Sequence, residues 1–150
     1  MDVYDPGMMQ EQDTIDRALF RRVMSSFATG VTVITTEAHG EIRGMTANAF
    51  MSGSLEPPLC VVSIGKRARM HPHLASAGHF GVSILAKDQE RLSQHFAGGP
   101  VADRAPEFVQ AGRPPILAEA AATIAADVIA EHDCGDHTLY RPHPASAGLC

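Results

Sequence analysis

Val31-Thr32-Val33-Ile34-Thr35-Thr36 is the stretch on which the fold turns, because the period of the sequence changes there. β-Branched side chains are stiff at χ1 and pack well on a pleated surface, so the run predicts a strand. Upstream the period is helical. Ile15, Leu19, Val23 and Phe27 recur along one face, Ala18 and Met24 widen the stripe, and Asp13 or Thr14 can cap the first turn. An amphipathic helix closing near Gly30 is expected. Downstream, Glu37-Ala38-His39-Gly40 supplies a turn, and Ile42 to Phe50 can return as the partner strand.

The remaining elements follow by the same signals. Ser52 to Pro58 carries two prolines that bar continuous pairing and is expected as loop, whereas Leu59 to Ile64 is a short apolar run expected as a strand covered on both faces. A helix from Pro72 to about Ala77 should end at Gly78, with Phe80 to Leu85 as the next strand. Lys87 to Phe96 reads as a helix stopped by Gly98-Gly99-Pro100. A mobile connection with Pro106, Gly112, Pro114 and Pro115 leads into Ile116 to Asp133, where alanines favour helix but Thr123, Ile124, Val128 and Ile129 favour strand. Strand is the assignment adopted. Short strands with a few helices between them predict a mainly β protein, a small β-barrel with helices at its rims.

Composition sets outer bounds. A chain of 150 residues, 45% hydrophobic and 19% charged, suits one globular domain. Its formal net charge of −5 offers no basic surface for nucleic acid, so no nucleic-acid partner is expected. Cys60, Cys134 and Cys150 are widely spaced with no paired thiol motif, which fits a reducing compartment. No run of about 18 apolar residues and no leader-like N-terminus occur, so a cytoplasmic protein without membrane attachment is expected.

Three segments could carry chemistry. In Gly44-Met45-Thr46-Ala47-Asn48-Ala49-Phe50 the small side chains would let a flat ligand approach the backbone, with the Thr46 hydroxyl and Asn48 amide as further partners. Small residues can equally just fill a barrel interior. Ser63-Ile64-Gly65-Lys66-Arg67-Ala68-Arg69 ends a strand in glycine and three cations, donors suited to a nucleotide phosphate or simply a solvated basic turn. Gly135-Asp136-His137 sets an imidazole beside a carboxylate at a turn; it could assist a proton or meet a cofactor, or be an ordinary capped turn. His71 and His73 flank Pro72 without an acidic or thiol partner nearby, so no metal site is expected. Neither a dinucleotide Gly-x-Gly-x-x-Gly fingerprint nor a phosphate loop is present, and nucleophile signatures of hydrolases are missing.

In order, the chain resembles the flavin reductase-like family with the FMN-binding split-barrel fold. The matching stretches are Phe27 to Val33, Gly44 to Phe50, Ser54 to Leu59, Phe80 to Leu85, Gln94 to Gly98 and Gly135 to Tyr140. The resemblance implies an NAD(P)H-dependent reductase that passes a hydride to FMN or FAD and supplies reduced flavin to a partner monooxygenase. By the same resemblance Thr46, Ala47, Asn48 and Ala49 line the flavin ring, while Ser63, Ile64, Gly65, Lys66, Arg67 and Arg69 hold its phosphate. His137 is implied beside the nicotinamide of NADH or NADPH, and a homodimer is implied as the assembly. Where relatives have phosphate-binding hydroxyls this chain has Ala68 and Met70, which shifts that task to Lys66, Arg67, Arg69 and the backbone.

The expected organisation is a flexible tail over 1–12, a flavin reductase-like domain over 13–140, and an atypical tail over 141–150. Pro142 and Pro144 are expected to stop a central strand, leaving the barrel incomplete at its C-terminal strands, as in a truncated or frame-shifted chain. A flavin-binding, dimerising module with impaired catalysis is therefore the alternative function, and binding of another planar cofactor such as haem a more distant one.

Overall fold

The computed structural model describes residues 15–100, 105–109 and 114–149. The expected tail over 1–12 and the candidate caps Asp13 and Thr14 lie outside them. The elements run α1 (Arg17–Met24), β1 (Thr32–Ala38), β2 (Glu41–Ala47), β3 (Phe50–Leu55), β4 (Pro58–Gly65), α2 (Met70–Ala77), β5 (His79–Ile84) and α3 (Glu90–Phe96). They continue with β6 (Phe108–Val109), β7 (Ile116–Leu117), β8 (Ala122–Cys134) and β9 (His137–Leu149).

Seven strands form one antiparallel sheet in the order β2-β1-β5-β8-β9-β4-β3, and β6 pairs with β7 apart from it. The predicted mainly β, split-barrel architecture with helices at its margins is what the chain adopts. β1 is buried on both faces for a physical reason visible in its sequence. Ile34 points into the main core with Val62, Ile64, Leu74, Phe80, Val82 and Tyr140, while Val33 points the other way, onto Leu117 and Ala120. Its buried threonine hydroxyls donate to main-chain carbonyls, Thr32 to Ala47 at 2.7 Å and Thr36 to His79 at 2.9 Å, so their burial leaves no orphan donor.

Several boundaries differ from expectation. α1 starts at Arg17, capped by Asp16 through a 2.9 Å bond from the Leu19 N–H, and ends by Ser25 rather than near Gly30. α2 starts at Met70, before Pro72, and ends as predicted on Gly78 at φ 69°. α3 begins at Glu90, three residues after Lys87. The strand expected over Ile42 to Phe50 breaks at Asn48-Ala49, with β2 on one side and β3 on the other.

Two proline expectations are corrected. Ser52 to Pro58 is not a loop: β3 pairs with β4 through Leu55 with a bulge between Ser52 and Ser54, and the prolines sit in the hairpin turn and at the first position of β4. There neither missing N–H breaks a ladder on two sides, since β4 pairs with β9 only over Val62 to Gly65 and Pro58 precedes that stretch. Pro142 and Pro144 likewise do not end β9, which stays paired with β8 to Leu149. β4 pairs with β9 only through Tyr140, so beyond it β9 is bonded on one side. Prolines two apart lack their donors on the same side of a strand, and a strand with a single partner tolerates that.

Candidate functional site

Strand pairing brings together segments far apart in sequence. The Ser63 N–H donates to the Ala49 carbonyl at 2.9 Å, joining the corner between β2 and β3 to the end of β4. Two residues on, Gly65 faces His137 across the β4–β9 ladder, and a side-chain carbon at Gly65 would stand 3.6 Å from His137 Nε2. The Lys66 N–H then donates to the Asp136 carbonyl at 2.9 Å. Ala49, Ser63 to Lys66 and Asp136-His137 thus share one end of the sheet.

The electrostatics of this end are mixed. Lys66 Nζ donates to the Gly135 carbonyl at 2.7 Å and pairs with the Asp133 carboxylate, a partner that no local sequence signal marks. Arg67 and Arg69 extend outward beside it, both exposed. His137 Nδ1 lies 2.7 Å from Asp136 Oδ1, and that bond together with the imidazole's charge holds the Asp136 carboxyl below its ordinary 3.8. With Nδ1 engaged, the remaining ring nitrogen of His137 is the one turned toward Gly65.

Not every expected residue offers its side chain. Gly44 lies under the ring of Phe96, where an added Cβ would come within 2.5 Å of two ring carbons, and the Thr46 hydroxyl donates to the Ser93 carbonyl at 2.6 Å. This face of β2 is covered by α3, while Met45 and Ala47 turn the other way into the core. At Gly44 the smallness therefore serves helix packing, and the expectation of an open approach to the backbone is corrected there. Asn48 and Ala49, in the break, are exposed. Ser63 is half-buried and Ile64 is in the core, so Ile64 can offer only its backbone to a ligand.

His71 is accounted for by a 2.9 Å bond between its Nε2 and Thr138 Oγ1. Cys60 is buried, which pushes its thiol above the usual 9.0, and Cys134 is exposed on the strand facing His137. No described helix is long and apolar enough to cross a membrane.

A family profile described as the flavin reductase like domain matches residues 24–141. The chain is 46% identical over 123 residues to an NADH-dependent flavin reductase of a Rhodococcus species, a match spanning 80% of this chain and 70% of that protein. Among solved structures it resembles the flavin reductase PheA2 in its native state, with a TM-score of 0.86 and 43% identity over 91% of this chain and 89% of the other. The flavin reductase of styrene monooxygenase from Pseudomonas putida superposes with a TM-score of 0.80 at 35% identity, over 87% and 86% of the two chains.

Proposed function

This chain belongs to the flavin reductase like family, and from that premise we propose that it transfers a hydride from NADH or NADPH to FMN or FAD. The observation that carries the assignment to particular residues is the meeting of Ala49, Ser63 to Lys66 and Asp136-His137 at one end of the sheet. The residues present fit a phosphate-bearing planar group. Gly65 brings bare backbone to the surface, Lys66, Arg67 and Arg69 supply cations directly after it, and the exposed Asn48-Ala49 corner offers main-chain donors and acceptors.

A bound flavin supplies the ring that takes up the hydride. The chain's own part is positioning. Thr46 to Ala49 border the ring, Ser63 to Gly65 with Lys66, Arg67 and Arg69 hold the phosphate, and His137 meets the nicotinamide. Holding two rings in contact at fixed orientation supplies most of the acceleration available to such a reaction, and the hydride step itself requires no proton relay. Asp136 fixes the imidazole orientation through the bond to Nδ1.

We read the assembly as a homodimer. Ile15, Leu19, Phe20, Val23, Met24 and Phe27, in and beside α1, are all between 48% and 70% exposed, and α1 buries none of its residues against its own chain. An apolar helix face of that extent is a contact surface, and a second copy is the occupant that supports this reading best. Reduced flavin passes to a separate monooxygenase, a reading supported by the likeness to a protein named as the flavin reductase of styrene monooxygenase. One flavin reductase-like domain over 13–140, working in the cytoplasm where the exposed Cys134 thiol stays reduced, completes the proposal.

The decisive experiment mixes the purified protein with NADH or NADPH and FMN or FAD and follows the loss of nicotinamide absorbance. Oxidation dependent on added flavin is expected. Failure of every pair to turn over overturns the proposal.

A further inference from the structure

Lys66, Arg67 and Arg69 lie on the short run between β4 and α2, and they are not held alike. Lys66 is fixed by its own side chain, through the Gly135 carbonyl and the Asp133 carboxylate. Arg67 and Arg69 are exposed, and among the described residues neither has an ion pair or a side-chain hydrogen bond. Where these two cations stand is therefore set by the backbone that carries them. That backbone is wound into two successive turns, in which the Ala68 N–H donates to the Gly65 carbonyl at 2.9 Å and the His71 N–H to the Ala68 carbonyl at 3.0 Å.

Both ends of the run are tied to the start of β9. At the near end the Lys66 N–H donates to the Asp136 carbonyl. At the far end the tie is a side chain: His71 Nε2 lies 2.9 Å from Thr138 Oγ1, and the imidazole meets the Tyr140 ring edge-on with centroids 5.9 Å apart. Thr138 and Tyr140 are buried, so the anchor is firm, and a hydroxyl that can donate or accept makes this bond with either tautomer of the ring. Met70 and Leu74 hold α2 in the core by apolar packing, which is non-directional; the His71 bond sets how the start of the helix stands against β9. Resting on the flavin-binding reading given above, we propose that His71 is a positioning residue for hydride transfer. Latched to Thr138, it closes the Gly65 to His71 run onto β9 and holds Arg67 and Arg69 in place for the flavin phosphate. Its part is indirect, exerted through the two arginines, whose hydrogen bonds to an anion weaken steeply with misalignment.

The phosphate itself is the probe. Steady-state kcat/KM is measured on FMN and on riboflavin, which has the same ring and no phosphate, for the unaltered protein and for His71→Leu, His71→Gln and Thr138→Val. His71→Leu and Thr138→Val are expected to lower kcat/KM for FMN roughly tenfold, through KM, and to change that for riboflavin by less than about twofold. Thr138→Val keeps the shape of its side chain, so the result there does not depend on how well His71→Leu folds. His71→Gln, whose amide reaches the position of Nε2, should bring FMN turnover back to within about threefold of the unaltered value. Combining His71→Leu with Thr138→Val should cost no more than either alone, because both remove one bond. An equal loss on FMN and riboflavin would make the latch general scaffolding and overturn the proposal, as would unchanged FMN kinetics in both single variants. If the unaltered protein reduces neither flavin, the flavin-binding reading falls, a result distinct from the other two.

Discussion

The main-chain N–H of Lys66 donates to the carbonyl of Asp136 at 2.9 Å, fastening the end of β4 to the turn that precedes β9. The side chain of Lys66 repeats the connection, reaching the Gly135 carbonyl and the Asp133 carboxylate. The cation assigned to the flavin phosphate and the imidazole assigned to the nicotinamide are therefore held by one short piece of ladder, and a shift of either strand moves both.

Lys66 separates binding from stability. Its ion pair with Asp133 is exposed, so Lys66→Met should change unfolding free energy by less than about 1 kcal/mol in urea titrations. Loss of a phosphate cation should nevertheless raise the flavin KM by roughly tenfold with little change in kcat. An unchanged KM would remove Lys66 from the flavin site.

His137 is assigned to orientation and not to proton transfer. His137→Gln should raise the KM for the nicotinamide and lower kcat by no more than about tenfold, because a general acid–base role would cost roughly a hundredfold or more. Asp136→Asn removes the bond that fixes the imidazole and should give a weaker version of the same change. A kcat loss of three orders of magnitude in His137→Gln, on the order of full acid–base catalysis, would contradict the assignment.

Gly44 should tolerate no side chain while Phe96 remains. With its Cβ placed 2.5 Å from ring carbons, Gly44→Ala is expected to destabilise by about 1 to 3 kcal/mol by urea unfolding. Phe96→Ala made in the same chain should relieve part of that loss, since the two residues share one contact. Strict additivity of the two substitutions would show that the ring does not rest on this glycine.

The apolar face of α1 should set the oligomeric state. Leu19→Asp or Phe20→Asp, each introducing a charge at an exposed position, should shift the protein from dimer to monomer in sedimentation velocity without unfolding it. A dimer that persists in both variants would move the interface elsewhere.

Alkaline stability follows from two buried acids. Burial raises the Cys60 thiol above 9.0 and, with Glu131 adding to the effect, the Tyr140 hydroxyl above 10.0. Above those values the unfolded chain releases protons that the folded chain keeps, so stability must fall as pH rises from about 9. Urea midpoints measured from pH 7 to 10.5, roughly spanning these transitions, should decline only at the upper end, and Cys60→Ala should flatten the first part of the decline. For the same reason Cys134 should react with iodoacetamide before Cys60 does in the native protein.

Much of the architecture was legible from period alone. The β-branched run at Val31 to Thr36, the His39-Gly40 turn and the Gly78 stop each report a local backbone preference, and each stands where expected within a residue or two. The alanine-rich stretch after Ile116 has a helical composition, yet β8 pairs on both sides, so tertiary pairing outweighs propensity there. The prolines misled because their cost depends on which side of a strand lacks a partner, a property of sheet order and not of the dipeptide. The stripe on α1 is amphipathic, but periodicity does not distinguish an apolar face that meets its own core from one that meets another surface.

By itself, then, the sequence determined the succession of strands and helices, the cationic run Lys66, Arg67 and Arg69, and the kinship with flavin reductases. Only the tertiary structure decided that Gly65-Lys66 and Asp136-His137 are neighbours, that Phe96 covers Gly44, and that His71 meets Thr138. The physical reason is range: backbone preference and side-chain period act over a few residues, whereas these contacts depend on which strands pair, and that is settled by burial of the whole core at once.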